Sequence, residues 1–239
     1  MSAAPGTLIL VPVSLGESPW NTYLPEEARR AAAAVRHFVV ENPKAARAQL
    51  RRMEHPLPLR ELELRPLPAE GSDRELDDLL APLFAGHDLG LMSDAGCPGV
   101  ADPGARLVAR AHAHGLRVHP LVGPSSILLA LMASGLNGQN FAFCGYLPVA
   151  PADRNARIRQ IEDESKRLSR TQIFIETPYR NERMLEALLA QCQPQTRLCL
   201  AMELNCAGET ILTLTIAQWR KRRPPELSRR PALFLILAD

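Results

Sequence analysis

The richest concentration of residues able to do chemistry is the segment Ser93-Asp-Ala-Gly-Cys-Pro-Gly-Val-Ala-Asp-Pro-Gly104. It follows a short apolar run that reads as a buried strand. It therefore sits at a carboxyl edge, where ligands of α/β sheets bind. Three glycines and two prolines let a backbone pass close to a ligand while restricting its freedom. Asp94 is placed to accept hydrogen bonds from hydroxyl groups. The competing reading is a rigid loop in which Asp94 and Asp102 cap helices. Gly123-Pro-Ser-Ser126 repeats the arrangement after the next strand. A helix starting there offers free N–H groups, to which Ser125 and Ser126 add hydroxyls or merely an N-cap. Two such loops after consecutive strands point to a shared binding cleft.

Other chemical engines are missing. The chain has no GxxxxGK[ST], no GxGxxG after a strand, no HExxH and no GxSxG. His112 and His114 are two apart on an expected helix and diverge in direction, so no metal is expected there. Five cysteines include no CxxC pair, and their odd number argues against a disulfide framework. The histidines suggest no nucleophile–base pairing. Any catalysis must need little acid–base machinery, and no catalytic residue is singled out.

Alternating strands and helices must position these loops. Strands are expected at residues 7–13, 37–41, 61–64, 88–93 and 117–122, and helices at 28–35, 44–53, 73–84, 105–114 and 124–133. This is the pattern of an α/β fold with a largely parallel sheet. The second half continues with strands at 141–146, 171–176, 196–204, 210–216 and 232–237 and helices at 154–168 and 181–191. The turn-rich stretch Ser134-Gly-Leu-Asn-Gly-Gln-Asn140 marks the expected boundary between a domain of residues 1–136, which carries the two loops, and one of residues 137–239.

Composition agrees with a globular protein: 46% of the 239 residues are hydrophobic and 23% charged. The net charge of +2 is too small to argue for nucleic-acid binding by itself. It is unevenly spread, with fifteen Lys/Arg against eleven Asp/Glu from Pro151 onward. Arg154, Arg157, Arg180 and the run Arg220-Lys-Arg-Arg223 are candidate phosphate contacts, or a solvated surface. No leader pattern and no apolar run long enough for a membrane span is found, so a reduced, cytoplasmic protein is expected. The alternation at residues 210–216 and the aliphatic run 232–237 suggest apolar surface for a partner.

Ser93-Asp94-Ala95-Gly96-x-Pro98 with Asp102-Pro103-Gly104, then Gly123-Pro124-Ser125 and Ala133-Ser134-Gly135-Leu136, resemble the tetrapyrrole methylase superfamily. Phe141-x-Phe-x-Gly145-Tyr-Leu-Pro148, Ile175-Glu176-x-Pro178-x-Arg180 and Ala201-x-Glu203-Leu204 continue the pattern in order. The branch they resemble is that of the ribosomal small-subunit RNA cytidine 2′-O-methyltransferases. The resemblance implies a two-domain α/β protein with a mostly parallel N-terminal sheet and a mixed C-terminal sheet. It also implies S-adenosylmethionine as cofactor, bound in a cleft between the halves, and a homodimer. Asp94, Gly96, Cys97, Ser125 and Ser126 would line the cofactor site, with Glu176, Glu203 and Asn205 around its other side. Pro12, Gly16 and Arg180 would face the substrate, ribosomal RNA or the small subunit, and neither a metal nor a membrane is implied. The sulfonium is already a good leaving group, which accounts for the absent acid–base residues. Three segments depart from the branch. Pro12-Val-Ser-Leu-Gly-Glu-Ser18 is short and lacks the branch's Asp, its Glu-Asp-Thr-Arg becomes Glu41-Asn42-Pro43-Lys44, and its Ser-Pro-His-Arg becomes Thr177-Pro178-Tyr179-Arg180. A tetrapyrrole or small-molecule acceptor, or a non-catalytic cofactor-binding role, therefore stands beside the RNA reading.

Overall fold

A computed structural model describes residues 4–238, which fall into two compact units divided between Ser125 and Ser126. The first contains β1 (Thr7–Leu10), α1 (Glu26–Ala33), β2 (His37–Val40), α2 (Pro43–Arg52), β3 (Glu63–Pro66), α3 (Asp73–Leu79), α4 (Ala81–Phe84), β4 (Leu89–Met92), α5 (Ala105–Ala113) and β5 (Arg117–Pro120). Its five strands run parallel in the order β3-β2-β4-β1-β5. Successive side chains alternate between two cores. Leu8, Val39 and Leu91 pack with Leu76, Leu83 and Leu107 of α3, α4 and α5. Ile9, Phe38 and Met92 pack with Ala28, Ala46 and Leu50 of α1 and α2. Helices on both faces explain why the strands read as uninterrupted apolar runs.

Two expected elements are shorter than their sequence suggests. The run 7–13 pairs as a strand only to Leu10. Pro12 lacks a ladder N–H, and Val13 turns to bridge Gly96 in an antiparallel sense. The helix expected over 73–84 splits at Leu80, because Pro82 cannot donate to the carbonyl of Asp78. That carbonyl accepts instead from Arg65 Nη1 at 2.7 Å. Ser72 and Glu75 form a capping box that starts α3. Arg110 of α5 clasps Asp77 at 2.6 Å, with His114 at 2.9 Å, and holds the Asp77 carboxyl at about 2.

The second unit contains α6 (Ser126–Ser134), β6 (Phe141–Tyr146), α7 (Pro151–Leu168), β7 (Thr171–Glu176), α8 (Asn181–Gln191), β8 (Arg197–Met202), β9 (Thr210–Thr215), α9 (Ile216–Trp219) and β10 (Ala232–Leu237). Its sheet is mixed, in the order β6-β7-β10-β8-β9, with β6 and β7 parallel and the other pairs antiparallel. Helix α6 packs on β8, β9 and β10. The observed division consequently lies ahead of this helix, whereas the turn-rich stretch suggests a boundary behind it. Strand β10 is buried along its whole length between β7 and β8. The aliphatic run 232–237 is thus interior and presents no surface to a partner, contrary to the expectation from sequence. Phe174 and Phe234 stack at 5.7 Å across β7 and β10.

Candidate functional site

In the first unit the loops after β1, β2, β4 and β5 all emerge at the carboxyl edge of the parallel sheet, and backbone bonds join them. The Val13 N–H donates to the Gly96 carbonyl at 2.9 Å, which ties the first loop to the β4 loop. Gly96 has φ of +72°, a conformation that glycine adopts without a steric penalty. A Cβ on Gly123 would fall 2.2 Å from Cγ of Pro12, so the first loop and the β5 loop approach as closely as only glycine allows. The Cys97 thiol donates to the Pro124 carbonyl at 3.2 Å and links the β4 and β5 loops. Burial, then the Asp102 carboxylate, push that thiol up, which keeps it protonated as a donor.

Asp94 is fixed through its main chain. Its N–H donates to Glu41 Oε2 at 3.2 Å, and its carbonyl accepts from Gln49 Nε2 at 3.3 Å. Its carboxyl accepts from the Asn42 N–H, and burial raises its pKa. The changed stretch Glu41-Asn42-Pro43-Lys44 explains this geometry. Asn42 caps α2 by accepting from Lys44 N at 2.9 Å, and Pro43 occupies the first turn. Asp102, hydrogen-bonded to Ser93, is pushed up to about 6 by burial and then by Glu41 and Asp94. Glu41, Asp94 and Asp102 thus make one edge of the sheet electronegative. It suits a cationic ligand with hydroxyl groups. Asp94, Gly96 and Cys97 share this edge with half-buried Ser125, the last residue of the unit, while Ser126 opens α6 in the second unit. Pro12 is buried against Gly123, and the Gly16 carbonyl accepts from Ser14 at 2.6 Å.

The second-unit candidates follow β7 and β8. The Glu176 side chain is 1% exposed and accepts from Arg180 Nη2 at 2.6 Å, Arg180 Nε at 2.9 Å and the Thr177 N–H at 2.6 Å. Arg180 is thereby committed to a carboxylate, not left free for a phosphate. Glu203 and Asn205 have φ of +48° and +59°. Glu203 is paired with Arg230 at 2.7 Å, and the Asn205 N–H donates to Glu209. Arg220, taken from sequence as a phosphate contact, donates to the carbonyls of Leu189 and Cys192 and caps the end of α8. Arg157 pairs with Glu164 at 3.4 Å. Lys221, Arg222 and Arg223 remain exposed.

Sequence reasoning missed Glu41 and Gln49 as supports of Asp94. A signal for Gln49 was present. It shares the inward face of α2 with Ala46 and Leu50, a polar residue on an apolar stripe.

The chain matches the family described as Tetrapyrrole (Corrin/Porphyrin) Methylases over residues 8–219. It is 31% identical to a ribosomal RNA small subunit methyltransferase I of Xylella fastidiosa, over 99% of this chain and 82% of that protein. The same comparison with the Pseudomonas aeruginosa protein of that name gives 33% identity over 81% of this chain, and spans only 60% of the relative's length. Among solved structures, the methyltransferase CobJ covers 98% of this chain and 94% of its own, with a TM-score of 0.62 at 19% identity. A uroporphyrin-III-C-methyltransferase from Thermus thermophilus covers 97% and 92%, with a TM-score of 0.55 at 19% identity. These two likenesses concern the fold, which is the mixed and parallel pair of sheets described above. By the extent of the family match and of its relatives' identity, the chain is a member of the tetrapyrrole methylase family of S-adenosylmethionine-dependent methyltransferases, on the branch of the ribosomal RNA small subunit methyltransferase I proteins.

Proposed function

We propose that this chain transfers a methyl group from S-adenosylmethionine to a ribose 2′-hydroxyl of small-subunit ribosomal RNA. The observation that carries the reading is Asp94, pinned through its N–H and its carbonyl so that its carboxylate stands at the electronegative edge. The acceptor comes from the relatives' shared name. S-adenosylmethionine supplies an electrophilic methyl on a positively charged sulfur. Asp94 accepts hydrogen bonds from its ribose hydroxyls, while Glu41 and Asp102 favour the cation. Gly96, Cys97, Ser125 and Ser126 belong to the same proposal, as do Asn205 and the carboxylates of Glu176 and Glu203, which Arg180 and Arg230 hold in place. The first loop, with Pro12 and Gly16, serves the acceptor, and the exposed Lys221, Arg222 and Arg223 meet phosphates. Such an acceptor calls for a cytoplasmic protein. A homodimer is part of the reading, supported by Leu128 and Met132 of α6, which are 51% and 78% exposed.

Titration calorimetry with S-adenosylhomocysteine and transfer of labelled methyl into small subunits test the two halves of the proposal. Binding by the intact chain is expected, and Asp94→Ala should weaken it by about ten- to a hundredfold, the range for losing a hydrogen bond to a charged acceptor. A folded protein that binds no S-adenosylhomocysteine would sink the cofactor reading. Binding without labelling of the RNA would remove the RNA acceptor and favour a small molecule or a non-catalytic role.

Protonation of Asp102 gives a further check. Its carboxyl ionises in the folded chain as pH rises through about 6. Affinity for the sulfonium cation is therefore expected to climb across that range. The thioether product has no charge on its sulfur and should respond less. Parallel pH dependences for cofactor and product would refute this role.

A further inference from the structure

One buried side chain connects the two loops that the proposed reaction uses. Gln49, on α2, is 5% exposed. Its Oε1 accepts from Ser14 Oγ at 2.9 Å, and its Nε2 donates to the Ser14 carbonyl at 3.5 Å and the Asp94 carbonyl at 3.3 Å. Ser14 is itself 1% exposed, and its one hydroxyl hydrogen is shared between Gln49 Oε1 and the Gly16 carbonyl, 2.6 Å away. Both donor hydrogens of the amide are used, and its oxygen has a partner. Its neighbours on the helix face, Ala46 and Leu50, are apolar and buried. Burial alone would favour a leucine or methionine here, so the amide stands against the local preference. Its partners explain it: the amide holds the first loop at Ser14 through both its atoms, and its nitrogen also holds the β4 loop at Asp94.

We propose that Gln49 is a positioning residue that keeps the first loop and the Asp94 loop in one arrangement, so that loosening either loosens the other. What those loops bind rests on the function proposed above; the fastening itself does not. The Val13–Gly96 bridge joins the loops at one point. Gln49 adds a second point, between Ser14 and Asp94, and two points define an orientation where one leaves a hinge. Through it, a cofactor seated on Asp94 stiffens the loop that meets the acceptor.

Hydrogen exchange read by mass spectrometry on the intact chain tests this, with Gln49→Met as the main variant. Methionine keeps the length and improves the apolar match, so a side chain that only fills space predicts unchanged exchange. The positioning role predicts faster exchange, by about tenfold, in residues 14–18 and 94–97 together, with α2 and β4 unchanged. Exchange that rises in one loop alone, or in neither, would overturn the proposal. If Gln49→Met does not fold, Gln49→Glu takes its place. It keeps the shape but has no N–H for the Ser14 and Asp94 carbonyls, so both loops should loosen together, and no change in either would equally overturn it. The same measurement with S-adenosylhomocysteine separates this proposal from the functional one. Bound product is expected to slow residues 14–18 in the wild-type chain and not in Gln49→Met, and equal slowing in both would refute the coupling. A wild-type chain that binds no product removes the functional reading, while the ligand-free comparison still decides the role of Gln49.

Discussion

Replacing Gly123 with alanine is expected to destabilise the first unit by about 2–3 kcal/mol, the upper range for forcing an extra methyl into a packed site. Its Cβ would lie 2.2 Å from Cγ and 2.4 Å from Cβ of Pro12, a rigid ring with no rotamer to retreat to. The first loop and the β5 loop must then separate, and the Cys97 contact with the Pro124 carbonyl shifts with them. Affinity for S-adenosylhomocysteine should fall by at least about tenfold in consequence. Gly138→Ala is the control, because a Cβ there meets nothing within 4 Å. Urea unfolding and calorimetry on the two variants check both effects. Equal stability of the two would show that the loops yield where the geometry says they cannot.

Glu162→Ala should cost the second unit about 3 kcal/mol, from one buried and one part-buried donor left unpaired and a cavity beside them. Glu162, 5% exposed on α7, accepts from the Gln193 N–H at 2.7 Å and from the Thr196 hydroxyl. It thereby fixes the turn between α8 and β8, the passage that sets the register of β8 in the sheet. Burial and then Glu162 push the Cys192 thiol well up, so this thiol stays protonated beside the carboxylate. Glu162→Gln keeps an acceptor oxygen and should lose only about 1 kcal/mol, the usual net worth of one hydrogen bond. Chemical denaturation followed by the fluorescence of Trp219, buried in the same core, reads both. An alanine variant as stable as wild type would mean that water satisfies the turn.

Much of this architecture is legible in the sequence where local and tertiary signals coincide. Strand β7, helix α8 and strand β10 have the bounds their patterns suggest, since each is an apolar or amphipathic run closed by turn residues. The loops bearing Asp94, Gly96 and Cys97 are legible through the glycines and prolines that shape them. What escapes is polar and long-range. Gln49 supports Asp94 from 45 residues away, and Glu41 does so from 53. No local propensity records such a pairing. The basic residues mislead for the same reason. Composition counts Arg180 and Arg220 as free cations, whereas tertiary contacts spend the first on Glu176 and the second on helix-end carbonyls. The break at Leu80 is legible in Pro82, whose missing donor outweighs the amphipathic pattern.

The place of β10 also has a consequence for biosynthesis. The last of the described strands lies in the middle of the second sheet, so β7 and β8 never pair with each other and both must wait for it. On a translating ribosome, β6 with β7 and β8 with β9 exist first as two separate ribbons with open, apolar inner edges. The sheet closes only when residue 237 has left the exit tunnel, whereas β1 to β5 are complete long before. The first unit can thus fold before β10 is made, and the second sheet only after it. Between those moments the nascent chain holds two strand edges that pair readily with other chains, the interval in which a trigger-factor-like holdase would matter most.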